Sequence, residues 1–142
     1  MIQKKSSLSL KIEVKCLTHK SPDFCVQLNQ VELADKNNQF DGSPVLGQNT
    51  LQVTFLNKVD TDTKIDSEGN ILEDLAVIID SLLVDEVDVS SDCKQYGIYT
   101  TQDQTVERTY GFMHKNGVFN YKFVYPIFYH LRNRDLIKNK GT

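Results

Sequence analysis

Apolar and polar residues alternate along most of this chain, with the two-residue period of strands that bury one face only. The segment LSLKIEVKC shows the pattern clearly, with one face formed by Leu8, Leu10, Ile12, Val14 and Cys16. The same period returns in FCVQLNQVEL, TLQVTFLNK, GIYTTQ, TVERTYGFMHK and VFNYKFVY. Short strands separated by polar turns, without alternating helices, predict an all-β fold, an antiparallel β-sandwich.

The segment ILEDLAVIIDSLLVDEVDV, residues 71–89, fits two structures. Its leucines and isoleucines recur at helical spacing, and the acidic residues near its start suit a first helical turn. Against a helix, Val77, Ile78 and Ile79 are consecutive β-branched residues, which are typical of a strand buried on both faces. We favour strand over helix for residues 71–84, followed by a tight hairpin turn at Asp85 and Glu86.

Turn-forming residues and prolines mark the other boundaries. Asn116 and Gly117 separate two alternating runs and predict a type I′ hairpin, because both residue types tolerate a positive φ. Pro126 ends the following strand, and IFYHLRNRDLI after it predicts a short C-terminal helix. Residues 34–48 are rich in Asn, Asp, Gly, Ser and Pro, which indicates a surface loop. No linker interrupts the chain, so we predict a single domain over residues 1–142.

Composition and charge exclude several classes of function. The chain has 39% hydrophobic and 25% charged residues, which indicates a folded protein, and its net charge of −3 disfavours nucleic-acid binding. No apolar run is long enough to span a membrane, and the N-terminus MIQKKSSLSLKIEV alternates where a signal peptide is continuously apolar. We therefore expect the protein in a cytoplasm or packed into something assembled there.

Neither a disulfide framework nor a catalytic motif stands out. The three cysteines are an odd number without close spacing, which predicts reduced thiols. His19, His114 and His130 lie far apart in the sequence, and no Gly-x-Ser-x-Gly motif accompanies them. We therefore predict that the protein is not an enzyme.

The segment VDTDTKIDSEGN, which follows the third alternating run, contains Asp60, Asp62 and Asp66. An EF-hand loop beginning at Asp60 needs glycine and glutamate where Ile65 and Ile71 stand, so that kind of calcium site is excluded. The three aspartates remain candidate ligands of an irregular calcium site at the rim of the sandwich. The alternative, which the turn residues of DSEGN favour, is a solvated hairpin with no bound cofactor.

Aromatic residues line one face of the run VFNYKFVY, namely Phe119, Tyr121, Phe123 and Tyr125. An exposed row of this kind can stack on sugar rings, and a tyrosine hydroxyl can also orient the ligand. Tyr121, Tyr125 and Tyr110 are therefore the candidate ligand-binding residues. The alternative, which we favour, is that the row fills the core of the sandwich.

The stretches NTLQVTFLNKVDTDTKID and TYGFMHKNGVFNYKFVYPIF resemble small β-sandwich proteins of tailed, chiefly marine, bacteriophages, over about residues 45–130. The strand order is more distantly similar to jelly-roll carbohydrate-binding modules, in which an N-TL-V-F strand leads into a calcium-binding or rim loop. Neither resemblance brings catalytic residues. The first implies a non-enzymatic virion-associated or accessory protein with protein partners in an assembly, self-association included. The second implies glycan binding through an aromatic face or a rim cation, on a jelly-roll-like fold.

Overall fold

The computed structural model describes the backbone of residues 5–140 and the side chains of residues 5–134. In chain order the strands are β1 (Leu8–Lys15), β2 (Phe24–Leu28), β3 (Val31–Glu32), β4 (Gln39–Gly42), β5 (Gly47–Phe55), β6 (Lys64–Ile65), β7 (Ile71–Glu73), β8 (Ala76–Val84), β9 (Val87–Asp88), β10 (Ile98–Thr101), β11 (Val106–Glu107), β12 (Phe112–Met113) and β13 (Gly117–Tyr125). The helices are α1 (Ser90–Tyr96) and α2 (Ile127–Lys140), and a single turn of 3-10 helix covers Asp60–Asp62.

Two antiparallel sheets pack around a common core. The first has the strand order β12-β8-β1-β4, with β9 paired to β8, and the second has the order β11-β10-β13-β5-β2-β3. Both sheets contribute fully buried side chains to one cluster, such as Leu10 and Leu82 from the first and Val53 and Phe119 from the second. Strands β6 and β7 form a separate hairpin. The predicted antiparallel β-sandwich is confirmed.

The ambiguous segment 71–89 is extended, as favoured. Residues Ile71–Glu73 form β7 and residues Ala76–Val84 form β8, which pairs with β1 along its whole length. Strand β8 turns into β9 through Asp85 and Glu86, whose φ angles are 49° and 66°. Two consecutive positive φ values are those of a type I′ turn, so the predicted hairpin is confirmed as well.

The hairpin predicted at Asn116-Gly117 is wrong. Strand β12, which precedes this pair, joins β8 in the first sheet, whereas β13, which follows it, pairs with β5 and β10 in the second. The chain therefore crosses between the sheets here instead of folding back on itself. Gly117 belongs to β13, and a Cβ atom at this position would lie 2.4 Å from the Thr100 carbonyl oxygen. Close approach of two backbones, rather than a positive φ, is what requires glycine.

Several other elements differ from the expectation. The predicted loop 34–48 contains β4, whose Phe40 is buried, and the run FCVQLNQVEL turns back on itself between β2 and β3. Helix α1 was not predicted from the sequence. The closing helix begins at Ile127 as expected, and the three cysteines are free, although Cys16 is exposed rather than on the inward face. No helix of the described chain is both long and apolar enough to cross a membrane.

Candidate functional site

A cleft of about 730 Å³ lies at one end of the sandwich and is called the end cleft below. It lies where β5 and β10 end and where β8 and β13 begin, so its walls come from the loops that join the two sheets. The side chains and backbone around it come from Lys15, Lys58, Val59, Asp60, Thr63, Ile71, Asp74, Thr101, Gln102, Asp103, Phe112, His114, Lys115 and Asn116.

A nearly buried ion pair forms one wall of the end cleft. Lys58 Nζ donates to Asp74 Oδ1 at 2.5 Å and to the Leu75 carbonyl oxygen at 2.8 Å, and only 9% and 11% of the two charged side chains is exposed. Thr63 Oγ1 donates to the same carboxylate oxygen at 2.8 Å. Burial alone would raise the pKa of Asp74, but the hydrogen bonds from Lys58 and Thr63 outweigh it and hold that pKa below its ordinary value. The carboxylate is therefore ionised at neutral pH.

Asn116 fixes the backbone on which Lys58 stands. Its Oδ1 accepts from the Lys58 N–H at 2.7 Å, and its Nδ2 donates to the Lys58 carbonyl oxygen at 2.8 Å. This two-way amide bridge connects the loop after β5 to the loop before β13. Asn116 therefore connects two loops that are distant in the sequence, instead of forming the local turn that the sequence suggested.

Hydrogen bonds of Tyr99 and Asp103 order another part of the lining. The Tyr99 hydroxyl both donates to the Lys115 carbonyl oxygen and accepts from the Lys115 N–H, and burial raises the pKa of this phenol to about 12. Thr101 Oγ1 donates to Asp103 Oδ1, and this bond lowers the pKa of the Asp103 carboxyl. Gln102, between them, is exposed at the mouth of the cleft.

An aromatic ring completes the lining. Phe112 is half-buried, and the Lys15 ammonium lies 5.4 Å from the centre of its ring. His114, which packs 6.3 Å from the same ring, makes a 2.9 Å contact through Nε2 with Glu107 Oε2. The end cleft therefore presents hydrogen-bond donors, hydrogen-bond acceptors and an apolar face together.

The three aspartates proposed as metal ligands have separate surroundings. Asp62 is buried and accepts from Lys20 Nζ at 2.7 Å and from the Val59 N–H at 2.8 Å, while Asp66 accepts from the backbone N–H groups of Glu68 and Asn70. Asp60 alone lines the end cleft. Across the part of the chain with described side chains, no three Asp, Glu, His or Cys residues are grouped to hold a metal ion. The three aspartates are therefore not brought together around one point, and calcium binding by this loop stays a prediction.

The candidate tyrosines are not brought together either. Tyr121 is 1% exposed and Phe119 and Phe123 are equally buried, so these three members of the aromatic row lie in the core. Tyr125 is half-buried and donates to Asp85 Oδ2 at 2.5 Å. Tyr110 is 57% exposed, with a positive φ of 54°, and the Lys94 ammonium lies 5.9 Å from its ring centre. None of the three lines the end cleft.

A second polar cluster joins both helices to β13. Asp92 accepts from Tyr121 Oη at 2.5 Å and from Arg134 Nε at 2.9 Å, and its Oδ2 lies 2.8 Å from His130 Nε2. Because His130 Nδ1 accepts from the Val124 N–H, Nε2 is the nitrogen that donates to Asp92. Burial opposes ionisation of Asp92, yet these three donors hold its pKa far below the ordinary range. This Asp92 cluster is an internal brace, since Asp92 and His130 are each only 9% exposed.

Sequence reasoning missed most residues of the end cleft. Lys58 lies more than 40 residues before Gln102 and Phe112 in the sequence, and each of the three resembles an ordinary surface or strand residue by itself. Asp60 was singled out, for a metal rather than for the cleft. The only local indication was the polar loop after β5, which marks the rim of the sandwich.

No family model matches the sequence, and no curated protein matches it significantly. Among solved structures, vCBM60 in complex with galactobiose is 14% identical with a TM-score of 0.48, covering 80% of this chain and 95% of that one. The selenomethionine form of vCBM60, described with a circular permutation that links two families of calcium-dependent carbohydrate binding modules, is 12% identical with a TM-score of 0.50. It covers 81% of this chain and 88% of that one. At this level of identity the likeness establishes the shared β-sandwich architecture of the two chains.

Proposed function

We propose that this protein is a non-catalytic saccharide-binding β-sandwich that takes a short oligosaccharide into the end cleft. The observation that carries the proposal is the composition of that cleft, which combines ammonium and amide donors, carboxylate and amide acceptors, and the Phe112 ring. Sugar hydroxyls both donate and accept hydrogen bonds, and the C–H face of a sugar ring packs on an aromatic side chain. A cleft of about 730 Å³ is within the usual range for small-molecule sites.

Rigidity of the lining supports the same proposal. The Asn116 bridge to Lys58 and the Tyr99 bridge to Lys115 hold two of the loops in place before any ligand arrives. A preorganised site loses less conformational entropy on binding, which matters for sugars because each hydroxyl contributes little net free energy. The architecture shared with vCBM60 agrees with this proposal, but a fold alone does not determine a function.

Association with a phage particle stays a prediction of the sequence resemblance. Three large apolar side chains near the start of β5 and of α2 are strongly exposed and suit a contact with a protein partner or a second copy: Leu46 at 79%, Phe128 at 70% and Tyr129 at 61%. Mass spectrometry of purified particles tests it, because a structural component remains in stoichiometric amount after gradient purification. If the protein separates from the particles on the gradient, the virion role is rejected and the saccharide proposal is unaffected.

The saccharide proposal is tested by an oligosaccharide array that includes galactobiose, probed with the wild-type protein and with Phe112→Ala and Gln102→Ala. We expect binding to at least one oligosaccharide and a loss of at least about tenfold in affinity for Phe112→Ala, equivalent to about 1.4 kcal/mol. Gln102 is exposed, so Gln102→Ala should weaken binding while leaving the melting temperature unchanged.

Gln48→Ala is the matched control, because Gln48 is also exposed but lies at the opposite end of the sandwich, beside Val124. It should bind like the wild type. Retention of the same oligosaccharide by both cleft variants at wild-type affinity would reject the end cleft as the site.

A further inference from the structure

We propose that saccharide binding in the end cleft is independent of calcium and that a Lys58 N–H donates a hydrogen bond to a sugar hydroxyl. The nearly buried Lys58 ammonium takes the place that a bound metal ion would otherwise occupy. This inference rests on the proposed function, since it concerns the ligand of the same cleft. It also separates this chain from a neighbour of the same architecture that is described among calcium-dependent modules.

The first step is the state of the Lys58 side chain. It is 91% withdrawn from solvent, and yet it lines the end cleft. An ammonium carries three N–H donors. Asp74 Oδ1 and the Leu75 carbonyl oxygen accept two of them, and the described residues supply no acceptor for the third. A nearly buried donor without a partner is unfavourable, and a ligand oxygen in the cleft relieves that cost.

The second step is the nature of the groups around Nζ. A carboxylate and a backbone carbonyl are oxygen groups that calcium sites use. In this chain the Lys58 ammonium already lies against both, 2.5 Å from Asp74 Oδ1 and 2.8 Å from the Leu75 carbonyl oxygen, and it balances the charge of Asp74. A calcium ion beside Asp74 would lie a few ångströms from a like charge in a poorly solvated place, which is strongly unfavourable.

The third step is the class of ligand. The charge of Lys58 is balanced by Asp74, and the other formal charges of the lining also cancel, with Lys15 and Lys115 against Asp60 and Asp103. The remaining N–H therefore suits a neutral acceptor, a hydroxyl oxygen of an uncharged saccharide. The Phe112 ring supplies the apolar contact for the same sugar. Lys58 would therefore bind a hydroxyl at the edge of a pyranose ring, while Phe112 packs against one face of that ring.

The test repeats the oligosaccharide array in EDTA and in millimolar calcium, and measures the melting temperature of the free protein under both conditions. We expect the same oligosaccharide to bind with affinities that agree within about twofold, and the melting temperature to be unchanged. Specific calcium binding at a hundred times its Kd would instead add about 2.7 kcal/mol to stability. Binding that is lost in EDTA and restored by calcium would overturn this inference and leave the proposed function intact.

Substitutions at Lys58 then test whether its ammonium is the hydrogen-bond donor to the sugar. Lys58→Met alone leaves the Asp74 carboxylate nearly buried and uncompensated, so Lys58→Met combined with Asp74→Leu removes both charges and keeps the variant folded. We expect the double variant to lose at least tenfold in affinity, while the control Lys11→Met, at an exposed position of β1, binds like the wild type. Unchanged affinity in a folded double variant would overturn the role of Lys58. Absence of binding by the wild-type protein in either condition would overturn the proposed function itself, and the donor role with it.

Discussion

Replacing Asp92 with asparagine is expected to lower the free energy of unfolding by about 3 kcal/mol, which is a fall of about 10 °C in the melting temperature. The neutral amide cannot compensate Arg134, and it meets three donors with only one acceptor oxygen. Tyr121 and His130 both donate to Oδ2, so an amide oxygen in that position places its NH₂ group against Arg134 Nε, and the reverse orientation leaves the two buried donors facing an NH₂ group. Chemical denaturation of the two proteins measures the difference.

The effect should depend on pH in a definite direction. The folded-state pKa of Asp92 lies well below the ordinary value of 3.8. The ionised carboxylate therefore contributes its full stabilisation above pH 3.8, and this contribution is lost as the pH falls toward the folded-state pKa. The stability difference between wild type and Asp92→Asn should therefore be constant from about pH 5 upward and should narrow below about pH 4.

Asp80→Asn is the control for this experiment. Asp80 is an exposed carboxylate of β8, and its replacement should change the free energy of unfolding by less than about 0.5 kcal/mol. If Asp92→Asn is equally mild, the Asp92 cluster is not the brace that holds α1 and α2 to β13.

Replacing Gly117 with alanine is expected to cost about 2–3 kcal/mol of stability, and replacing it with valine more. An added Cβ would lie 2.4 Å from the Thr100 carbonyl oxygen and 2.8 Å from Thr101 Cα, so the pairing of β13 with β10 must open. Thermal or chemical denaturation measures the loss.

Two further variants separate steric crowding from backbone conformation. Gly69 has a φ of +85° with nothing within 4 Å of its Cβ position, so Gly69→Ala should cost only about 1 kcal/mol, the price of an unfavourable φ. Asparagine tolerates a positive φ, so Gly117→Asn would be mild at a turn and severe at a crowded strand. A small loss of stability in Gly117→Asn would instead support the Asn116-Gly117 hairpin predicted from the sequence.

The alternation of apolar residues was sufficient to predict most strands, because burial of one face is a local property of each strand. It could not show that TVERTYGFMHK divides between the two sheets, since β11 and β12 have only two residues each. Strand β11 pairs with the neighbouring β10, whereas β12 pairs with β8, which lies far along the chain. Strand β4 escaped notice because its inward face consists chiefly of Phe40.

The end cleft and the Asp92 cluster were harder to anticipate for the same physical reason. Asn116 contacts Lys58, and Asp92 contacts His130 and Arg134, across long stretches of sequence. Such polar contacts leave no periodic trace in the sequence. Of the aspartates and tyrosines singled out in the sequence, Asp66 orders the turn at residues 66–70 and Tyr121 lies in the core.

The most direct measurement of the central claim is a titration of ¹⁵N-labelled protein with the oligosaccharide that binds best on the array, followed through the amide chemical shifts. We expect the largest amide shift changes around the end cleft, in the segments 58–63, 101–103 and 112–116. Shifts centred instead on the exposed Tyr110, or on Leu46 and Phe128, or no shifts with any oligosaccharide retained on the array, would contradict this claim.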